Sequence, residues 1–438
     1  MLEHLLKPGN IRIVIFTSGF KTGYFRRVFG RYANVEIEGV NDDVLRRRAF
    51  FLHKLTFLLL YTKTMRLKRR SARDFTSWPR YFLNQGTASL LGRWRWVRGL
   101  FRLANRLFSG GPVLNEYFEK YQPDLVVAMD IKYILDTQFI LEAQVRGVRT
   151  VGMVRSWDYL TAKGIIRVKP DKMIVHNEII KNEAVRYADM RPEDIIVVGI
   201  PHFDLYINTA RTPRQEFFKK IGIPQDKRLL FLGSVGKKFG ATDDQIFEII
   251  DRAIHRGALS RDLVILVRLP PADTLARAVD YCKEHFVFEY PGVSFSGRGR
   301  KENEMSLDDL MHLADSIYHS EAVITGPSTI CIDAAVFDKP IICLGFEGYE
   351  QKPYFKSIIH RYDFDHMQHF VRCNAGRIAR NEVELLSFLN LALERPSDQS
   401  EGRARLVKEQ CFILDGRAGE RLADIILGLV GSKNLTGK

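Results

Sequence analysis

The chain has 438 residues, of which 46% are hydrophobic and 27% charged, and its net charge is +14. This length exceeds what one hydrophobic core usually supports, so the sequence predicts two domains. No run approaches 18 uncharged apolar residues, and the five cysteines form no CxxC pair. The sequence therefore predicts no membrane-spanning helix, no disulfide scaffold and no structural zinc site.

The excess positive charge lies in one segment of the first quarter of the chain. Residues 11–16 predict a first strand, and residues 17–23 form a glycine-containing loop after it. Residues 44–108 then hold sixteen Lys or Arg residues and a single acidic residue, Asp74. The charge of the whole protein is thus a property of one local surface.

One stretch of this basic segment has the pattern of an amphipathic helix. Arg95, Arg98, Arg102 and Arg106 share one face at helical spacing, apolar residues lie opposite, and Trp94 and Trp96 stand at the start. Such a helix is typical of docking on an anionic membrane surface, which predicts a cytoplasmic protein held peripherally on the inner face of the plasma membrane. Two alternatives are that the helix packs on its own domain and, less favoured, that it binds nucleic acid.

A series of short apolar runs separated by helical stretches begins at residue 121 and predicts a parallel sheet. Polar residues follow the end of each run, where parallel sheets place their active sites. A reaction that activates a hydroxyl needs a general base there. Asp130, Asp158, His176 and His202 qualify by position, and Asp130 and Asp158 are favoured, although Asp158 could instead cap the helix after it.

A second α/β series follows residues 209–214, so we predict domains of residues 1–208 and 209–438. After its first strand comes a loop of glycines, Ser234 and lysines that fails the P-loop pattern but can still offer backbone N–H groups to a diphosphate. Arg268 ends a buried strand, which favours an anionic partner. Gly326, Ser328 and Thr329 open a helix after another strand, an arrangement typical of phosphate binding. The candidate donor-binding residues of this series are Gly233, Ser234, Arg268, Gly326, Ser328, Thr329 and Asp333.

No metal site is predicted. Asp363 and Asp365 form a DxD triplet, which some transferases use for a metal-bound diphosphate, but no clear strand precedes it. The eleven histidines show no ligand spacing. We therefore expect neither a metal nor another cofactor.

Four motifs carry a resemblance to a known family. They are residues 317–348, residues 156–164 (SWDYLTAKG), residues 198–204 (VGIPHFD) and residues 415–421 (DGRAGER). Together they resemble bacterial GT-B-fold glycosyltransferases of surface-polysaccharide synthesis and the related CDP-glycerol glycerophosphotransferases. The sequence departs from that pattern at Leu269–Pro271, where relatives often carry a His, and at Ile200, where they often carry Asn.

The resemblance implies two Rossmann-like domains facing a cleft, with the acceptor on the first and the donor on the second. It implies that Ser328 and Thr329 meet the diphosphate, Asp333 the ribose, and Gly233 and Ser234 the distal phosphate side, without a metal. The first functional hypothesis is a glycosyltransferase that moves a sugar from a nucleotide-sugar to a lipid-linked or surface-glycan acceptor. Alternatives are a CDP-glycerol-type glycerophosphotransferase, a nucleotide-sugar 2-epimerase, and an inactive membrane- or nucleic-acid-binding adaptor.

Overall fold

The computed structural model describes residues 1–41, 52–72, 78–109, 114–236, 242–271, 284–295 and 303–431. The chain divides into two compact units. The first unit comprises Met1–Asp204 together with Gln410–Lys438, and the second comprises Leu205–Glu409. The first boundary lies within a few residues of the predicted one, but the end of the chain returns to the first unit instead of staying in the second.

The strands are β1 (Ile13–Ser18), β2 (Val35–Val40), β3 (Leu125–Ala128), β4 (Arg149–Met153), β5 (Lys172–Val175), β6 (Ile195–Val197), β7 (Arg228–Gly233), β8 (Leu263–Arg268), β9 (Phe286–Glu289), β10 (Ala322–Thr325), β11 (Ile341–Leu344) and β12 (Arg377–Ala379). The helices of the first unit up to residue 187 are α1 (Leu2–Leu6), α2 (Thr22–Phe29), α3 (Lys63–Ser71), α4 (Trp78–Leu90), α5 (Arg95–Ser109), α6 (Asn115–Tyr121), α7 (Ile134–Val145), α8 (Tyr159–Ala162) and α9 (Glu178–Tyr187). The remaining helices are α10 (Asp204–Asn208), α11 (Arg214–Lys220), α12 (Asp243–His255), α13 (Leu307–His319), α14 (Ile330–Val336), α15 (Met367–Cys373), α16 (Glu382–Glu394), α17 (Ser400–Cys411) and α18 (Ala418–Gly431).

The first unit is built on parallel strands. Strands β3, β4, β5 and β6 pair in that order, and β1 and β2 form a separate parallel pair. Phe16 of β1 and Val126 of β3 join one apolar cluster with Val40. Helix α7 has seven buried residues, which is why its sequence is apolar on most faces. The predicted parallel α/β organisation is confirmed in this unit.

The C-terminal helix α18 completes the first unit. Leu422, Ala423 and Ile426 are buried in one cluster with Val151 and Ile174 of the sheet. The carboxylate of Asp204 accepts hydrogen bonds from the backbone N–H groups of Ala418 and Gly419 at 3.0 and 2.6 Å, which caps the start of the helix. This burial is the physical reason that residues 410–431 depart from the predicted second domain.

The second unit is a six-stranded, fully parallel sheet with the order β12-β11-β10-β7-β8-β9. Strand β8 is buried along its whole length, as is typical of a strand covered on both faces. Strands β7, β8 and β9 follow one another toward one edge of the sheet, and β10, β11 and β12 follow one another toward the other edge. This is the doubly wound Rossmann arrangement. The loops after β7 and β10 therefore flank the point at which the strand order reverses, where such sheets bind ligands.

Candidate active site

At the carboxyl edge of the first sheet, Asp130 is the centre of a polar network. The hydroxyl of Tyr159 donates to Asp130 Oδ2 at 2.5 Å, and the backbone N–H of Lys132 donates to Oδ1 at 3.0 Å. The guanidinium of Arg155, which is mostly exposed, lies 3.8 Å from the same carboxylate. Asp130 thus follows β3 as predicted, and it contacts groups from its own loop, from the loop after β4 and from the start of α8.

Two partly buried ionisable groups lie beside Asp130. Burial lowers the pKa of the Lys132 ammonium to about 7, although the carboxylate of Asp130 opposes this shift. Burial raises the pKa of Asp136 to about 7, and its Oδ1 accepts the backbone N–H of Asp130 at 3.1 Å. Perturbed groups of this kind cluster at functional sites, because catalysis needs protonation equilibria near the working pH.

Asp158 is the second predicted base, and it lies in the loop after β4. Its Oδ1 accepts the hydroxyl of Ser156 at 2.8 Å and lies 3.1 Å from the ammonium of Lys163. The alternative that Asp158 caps the following helix is not supported, since its side chain makes no capping hydrogen bond to α8. Tyr159 next to it has a pKa that is raised by burial and by the charge of Asp130.

The two histidines that qualified by position differ from each other. His176 is buried directly after β5, and burial lowers its pKa to about 4, so its imidazole is neutral near pH 7. His202 lies partly exposed after β6, with its ring 5.3 Å from that of Phe203. Of the four candidate bases, Asp130 is the one with both a tyrosine hydroxyl and a guanidinium within 3.8 Å of its carboxylate.

In the second unit, the structure brings together the loops after β7 and β10. The hydroxyl of Thr325 donates to the carbonyl of Gly233 at 3.4 Å. A Cβ on Gly233 would lie 2.5 Å from Cδ1 of Ile330, and a Cβ on Gly326 would lie 2.9 Å from Cγ2 of Val235. A side chain at either position would therefore push Ile330 or Val235 aside, so both predicted glycines favour the close approach of these two loops.

Ser234 and Arg268 have partners within the unit. The hydroxyl of Ser234 donates to the carboxylate of Asp243, and the loop residues 237–241 that carry the predicted lysines lie outside the described residues. The buried guanidinium of Arg268 donates to Glu289 at 3.1 Å and to the carbonyl of Asp309 at 2.9 Å. Arg268 has the anionic partner that its position predicted, and that partner is a carboxylate of the protein.

The turn after β10 opens α14. The hydroxyl of Ser328 accepts the backbone N–H of Ile330 at 3.2 Å, and Thr329 stands at the first turn of the helix. Asp333 is buried, and its Oδ1 accepts the hydroxyl of Tyr206 at 2.6 Å. The ring of Tyr206 stacks on that of Phe337. Asp333 therefore also links α14 to α10, a contribution that its sequence position did not predict.

Comparison with known proteins decides the family. Residues 155–428 match the family of CDP-glycerol:poly(glycerophosphate) glycerophosphotransferases. The chain belongs to this family. The match includes Asp158, the loop after β6 and the whole of the second sheet, and it agrees with the resemblance that the four motifs carry.

The relatives of this glycerophosphotransferase-family chain are distant. The teichoic acid poly(ribitol-phosphate) polymerase of Bacillus spizizenii is 20% identical over 266 residues, which cover 58% of this chain and 37% of that protein. The chain thus spans about a third of the length of the curated relative that it matches. The solved structure of the wall teichoic acid polymerase TagF is 13% identical, with a TM-score of 0.44, and 77% of this chain and 98% of that one are covered. The UDP-GlcNAc 2-epimerase of Neisseria meningitidis, solved with UDP-GlcNAc, is 11% identical, with a TM-score of 0.48 and coverage of 95% and 99%.

The arginine face of α5 requires a correction. Arg98 is only 5% exposed and donates to Asp189 at 2.5 and 2.9 Å, and Arg102 donates to the same carboxylate at 2.7 Å. Arg95 remains exposed, 3.3 Å from Asp189, and Arg106 is exposed. Arg98 and Arg102 therefore cannot meet a membrane surface, because the buried carboxylate of Asp189 draws them into their own unit.

The apolar side of the same helix is the one that faces solvent. Trp96, Leu100, Leu103 and Leu107 are each more than half exposed, and so is Trp94 just before the helix. Helix α4 likewise exposes large apolar side chains, namely Trp78, Phe82, Leu83 and Leu90. No helix in the described parts of the chain is both long and apolar enough to cross a bilayer. We call the four α5 residues Trp96, Leu100, Leu103 and Leu107 the apolar face of α5.

One group of potential metal ligands went unrecognised in the sequence. Among the described residues, Asp251, His255 and His285 bring one ligand atom each within 4.8 Å of the others. His285 Nδ1 donates to Asp251 Oδ1 at 3.0 Å, and His255 lies one helical turn after Asp251. The i,i+4 spacing was visible in the sequence, but His285 is thirty-four residues from Asp251 along the chain. The DxD residue Asp363 instead accepts the hydroxyl of Tyr354.

Proposed function

We propose that this chain transfers a polyol phosphate from a CDP-linked donor to a polyol-phosphate polymer. The observation that carries the proposal is the family match over residues 155–428. It favours the glycerophosphotransferase alternative over the sugar transfer that the sequence first suggested. The same donor chemistry, a nucleoside diphosphate joined to a small polyhydroxyl group, underlies both hypotheses.

We assign donor binding to the second unit, at the reversal point of its sheet. The backbone N–H groups around Ser328 and Thr329 open α14 beside the close-packed Gly233 and Gly326 loops. Backbone N–H groups at such a turn stabilise phosphate charge without a metal ion. Arg268 supports this arrangement indirectly, since its hydrogen bonds to Glu289 and Asp309 tie the end of β8 to the edge of the sheet and to α13.

In the first unit, Asp130 is the proposed general base. An acceptor hydroxyl attacks the phosphorus that carries the polyol, and the bond from that phosphorus to the bridging oxygen breaks, so that CMP leaves. Asp130 takes the hydroxyl proton, while Tyr159 and the backbone N–H of Lys132 orient its carboxylate. Asp158, paired with Lys163, is the alternative base.

The substrate assignment is tested by incubating the protein with CDP-glycerol or UDP-GlcNAc and a poly(glycerophosphate) acceptor. We expect CMP release and acceptor elongation with CDP-glycerol only, in the presence of EDTA. Asp130→Asn should lower the rate at least 100-fold, since a general base contributes about 10²–10⁴-fold. Asp194→Asn, a change in a partly buried carboxylate that pairs with Lys172 and Arg191 and lies outside the Asp130 network, is the matched control. Turnover of UDP-GlcNAc alone would refute the proposal.

We further propose that the apolar face of α5 docks the protein on a membrane. The four exposed side chains form a continuous apolar face, as is typical of helices that lie on a membrane surface. Arg95 and Arg106 are exposed beside this face, where they can meet anionic headgroups. Burial of each large apolar side chain contributes about 1.5–3 kcal/mol, so the face alone suffices for reversible binding. The interaction would be mainly apolar, whereas the sequence pattern suggested a mainly electrostatic one.

Co-sedimentation with anionic vesicles tests the docking proposal. We expect binding that persists in part at 0.5 M salt and is lost in the double variant Leu103→Glu, Leu107→Glu. Val383→Glu changes an equally exposed apolar residue of the second unit and should bind as the unaltered protein does. Full loss of binding at high salt together with normal binding of the double variant would show that charge, not the apolar face, holds the protein.

A further inference from the structure

One buried arginine of the first unit has no partner for its charge among the residues that the structure describes. Arg167 is 3% exposed, and neither Nη atom has a hydrogen-bond partner among the described residues. Burial lowers the pKa of its guanidinium to about 10, so it stays charged at neutral pH. Burying a charge without a partner is costly, and native structures almost always avoid it.

Other buried arginines of the chain show what compensation normally looks like. Arg98 is paired with Asp189, Arg268 with Glu289, and Arg403 with Asp338 and two backbone carbonyls. Each has a carboxylate within 3.1 Å. Arg167 is thus an exception among the buried arginines of the described chain, and an anion would supply the partner that its guanidinium lacks there.

Arg167 belongs to a group of cations next to Asp130. Burial disfavours the charge of the partly buried Lys132, the carboxylate of Asp130 attracts that charge, and the cations of Lys163, Arg167 and Arg102 repel it. Its Nζ donates to the carbonyl of Gly164, which is a neutral acceptor. Arg102 and Lys163 have carboxylate partners. Among the described residues, the Nη atoms of Arg167 have no hydrogen-bond partner, and Lys132 is attracted by Asp130 but forms no ion pair within 4.0 Å.

We propose that Arg167 and Lys132 bind a phosphate group, and that in the reaction this phosphate belongs to the polyol-phosphate acceptor. A phosphate offers the guanidinium paired acceptor oxygens and offers the ammonium a third, which satisfies both groups at once. Bound there, it would place the neighbouring hydroxyl of the acceptor near Asp130. The acceptor assignment rests on the proposed function, but the anion site does not.

The anion site is tested by thermal denaturation with inorganic phosphate, independently of any activity. The melting temperature of the unaltered protein should rise with phosphate concentration. Arg167→Met, which replaces an unpaired charge by an apolar chain of similar length, should melt at or above the unaltered protein without phosphate and should show no phosphate-dependent rise. Arg12→Met, at an exposed arginine of the same unit, should keep the rise. Lower stability of Arg167→Met together with an undiminished phosphate response would overturn the proposal.

The source of the phosphate is tested by kinetics. Arg167→Met should raise the KM for a poly(glycerophosphate) acceptor at least tenfold, with the KM for CDP-glycerol unchanged and transfer to free glycerol unaffected. Equal KM values for both proteins would refute the acceptor role. Binding of phosphatidylglycerol vesicles that depends on Arg167 would also refute it, in favour of a lipid headgroup. If no donor is turned over at all, the proposed function fails while the phosphate-dependent melting still decides the site.

Discussion

The ion pairs of Arg98 and Arg102 with Asp189, which we call the α5 clamp, allow a quantitative prediction. The side chains of Arg98 and Asp189 are 6% and 7% exposed, and Arg102 is only slightly more open. Burial alone would raise the pKa of Asp189, but hydrogen bonds from Arg98 and Arg102 outweigh it, and the net pKa is lowered. Asp189→Asn keeps the shape and tolerates the positive φ of this position, but it removes the charge that two buried guanidiniums need.

Removing one partner of a buried ion pair usually costs about 3–5 kcal/mol, because it leaves an uncompensated buried charge. Asparagine can still accept one hydrogen bond, so we expect about 3 kcal/mol. Urea denaturation followed by tryptophan fluorescence is suited to this measurement, since all four tryptophans, at positions 78, 94, 96 and 157, lie in the first unit. Glu36→Gln, which breaks an exposed pair with Arg12, should leave the same transition unchanged.

The clamp argument also predicts a pH dependence and has a clear refutation. Because the folded pKa of Asp189 lies below its ordinary value of 3.8, the pair stabilises the fold above that pH and is lost as the pH falls through the folded pKa. An Asp189→Asn protein that unfolds at the same urea concentration as the unaltered one would show that the buried contact makes no net contribution. The double variant Asp189→Asn, Arg98→Met should recover part of the loss, since it keeps a residue that tolerates the positive φ and removes one of the two guanidiniums that would lack a counter-charge.

Three further predictions concern single buried groups. The pKa of Lys132 falls from 10.5 to about 7 on folding, so the unfolded chain holds an extra proton between these pH values. The free energy of unfolding should therefore rise by about 5 kcal/mol as the pH increases from 7 to 10.5. In urea titrations at several pH values, Lys132→Met should flatten this rise. The pKa of His176 falls from 6.5 to about 4, so stability should drop by about 3 kcal/mol as the pH decreases through that window, and His176→Gln should abolish the drop if burial is its cause. Tyr206→Phe removes the hydroxyl that donates to Asp333 at 2.6 Å and should lower the free energy of unfolding by about 1–3 kcal/mol, measured by urea denaturation followed by circular dichroism. Unaltered stability together with lost nucleotide binding would instead indicate that the pair serves only the donor site.

The sheets of both units were accessible from the sequence because short apolar runs of β-branched residues, each ended by a polar or glycine residue, repeat through most of the chain. The doubly wound rule also predicts that the Gly233 and Gly326 loops meet, since both follow strands that flank a reversal of order. Local pattern and fold topology suffice for these features. They required no knowledge of any individual side-chain contact.

The orientation of α5 was not accessible in the same way. A helical wheel divides the residues into two faces but does not say which face meets the protein. The deciding group, Asp189, lies 91 residues from Arg98 and 87 from Arg102. The isolation of Arg167 among the described residues was equally hidden, because the lack of a hydrogen-bond partner is a property of the folded interior and has no sequence signature.

The return of the chain to the first unit has a consequence for synthesis. Asp204, which caps α18, precedes Ala418 by 214 residues. At a translation rate of about 5–20 residues per second, the ribosome needs on the order of 10–40 s to make the intervening polypeptide. During that interval Val151 and Ile174 lack the helix that buries them. The nascent first unit therefore presents an apolar surface suited to chaperone binding until α18 emerges and docks.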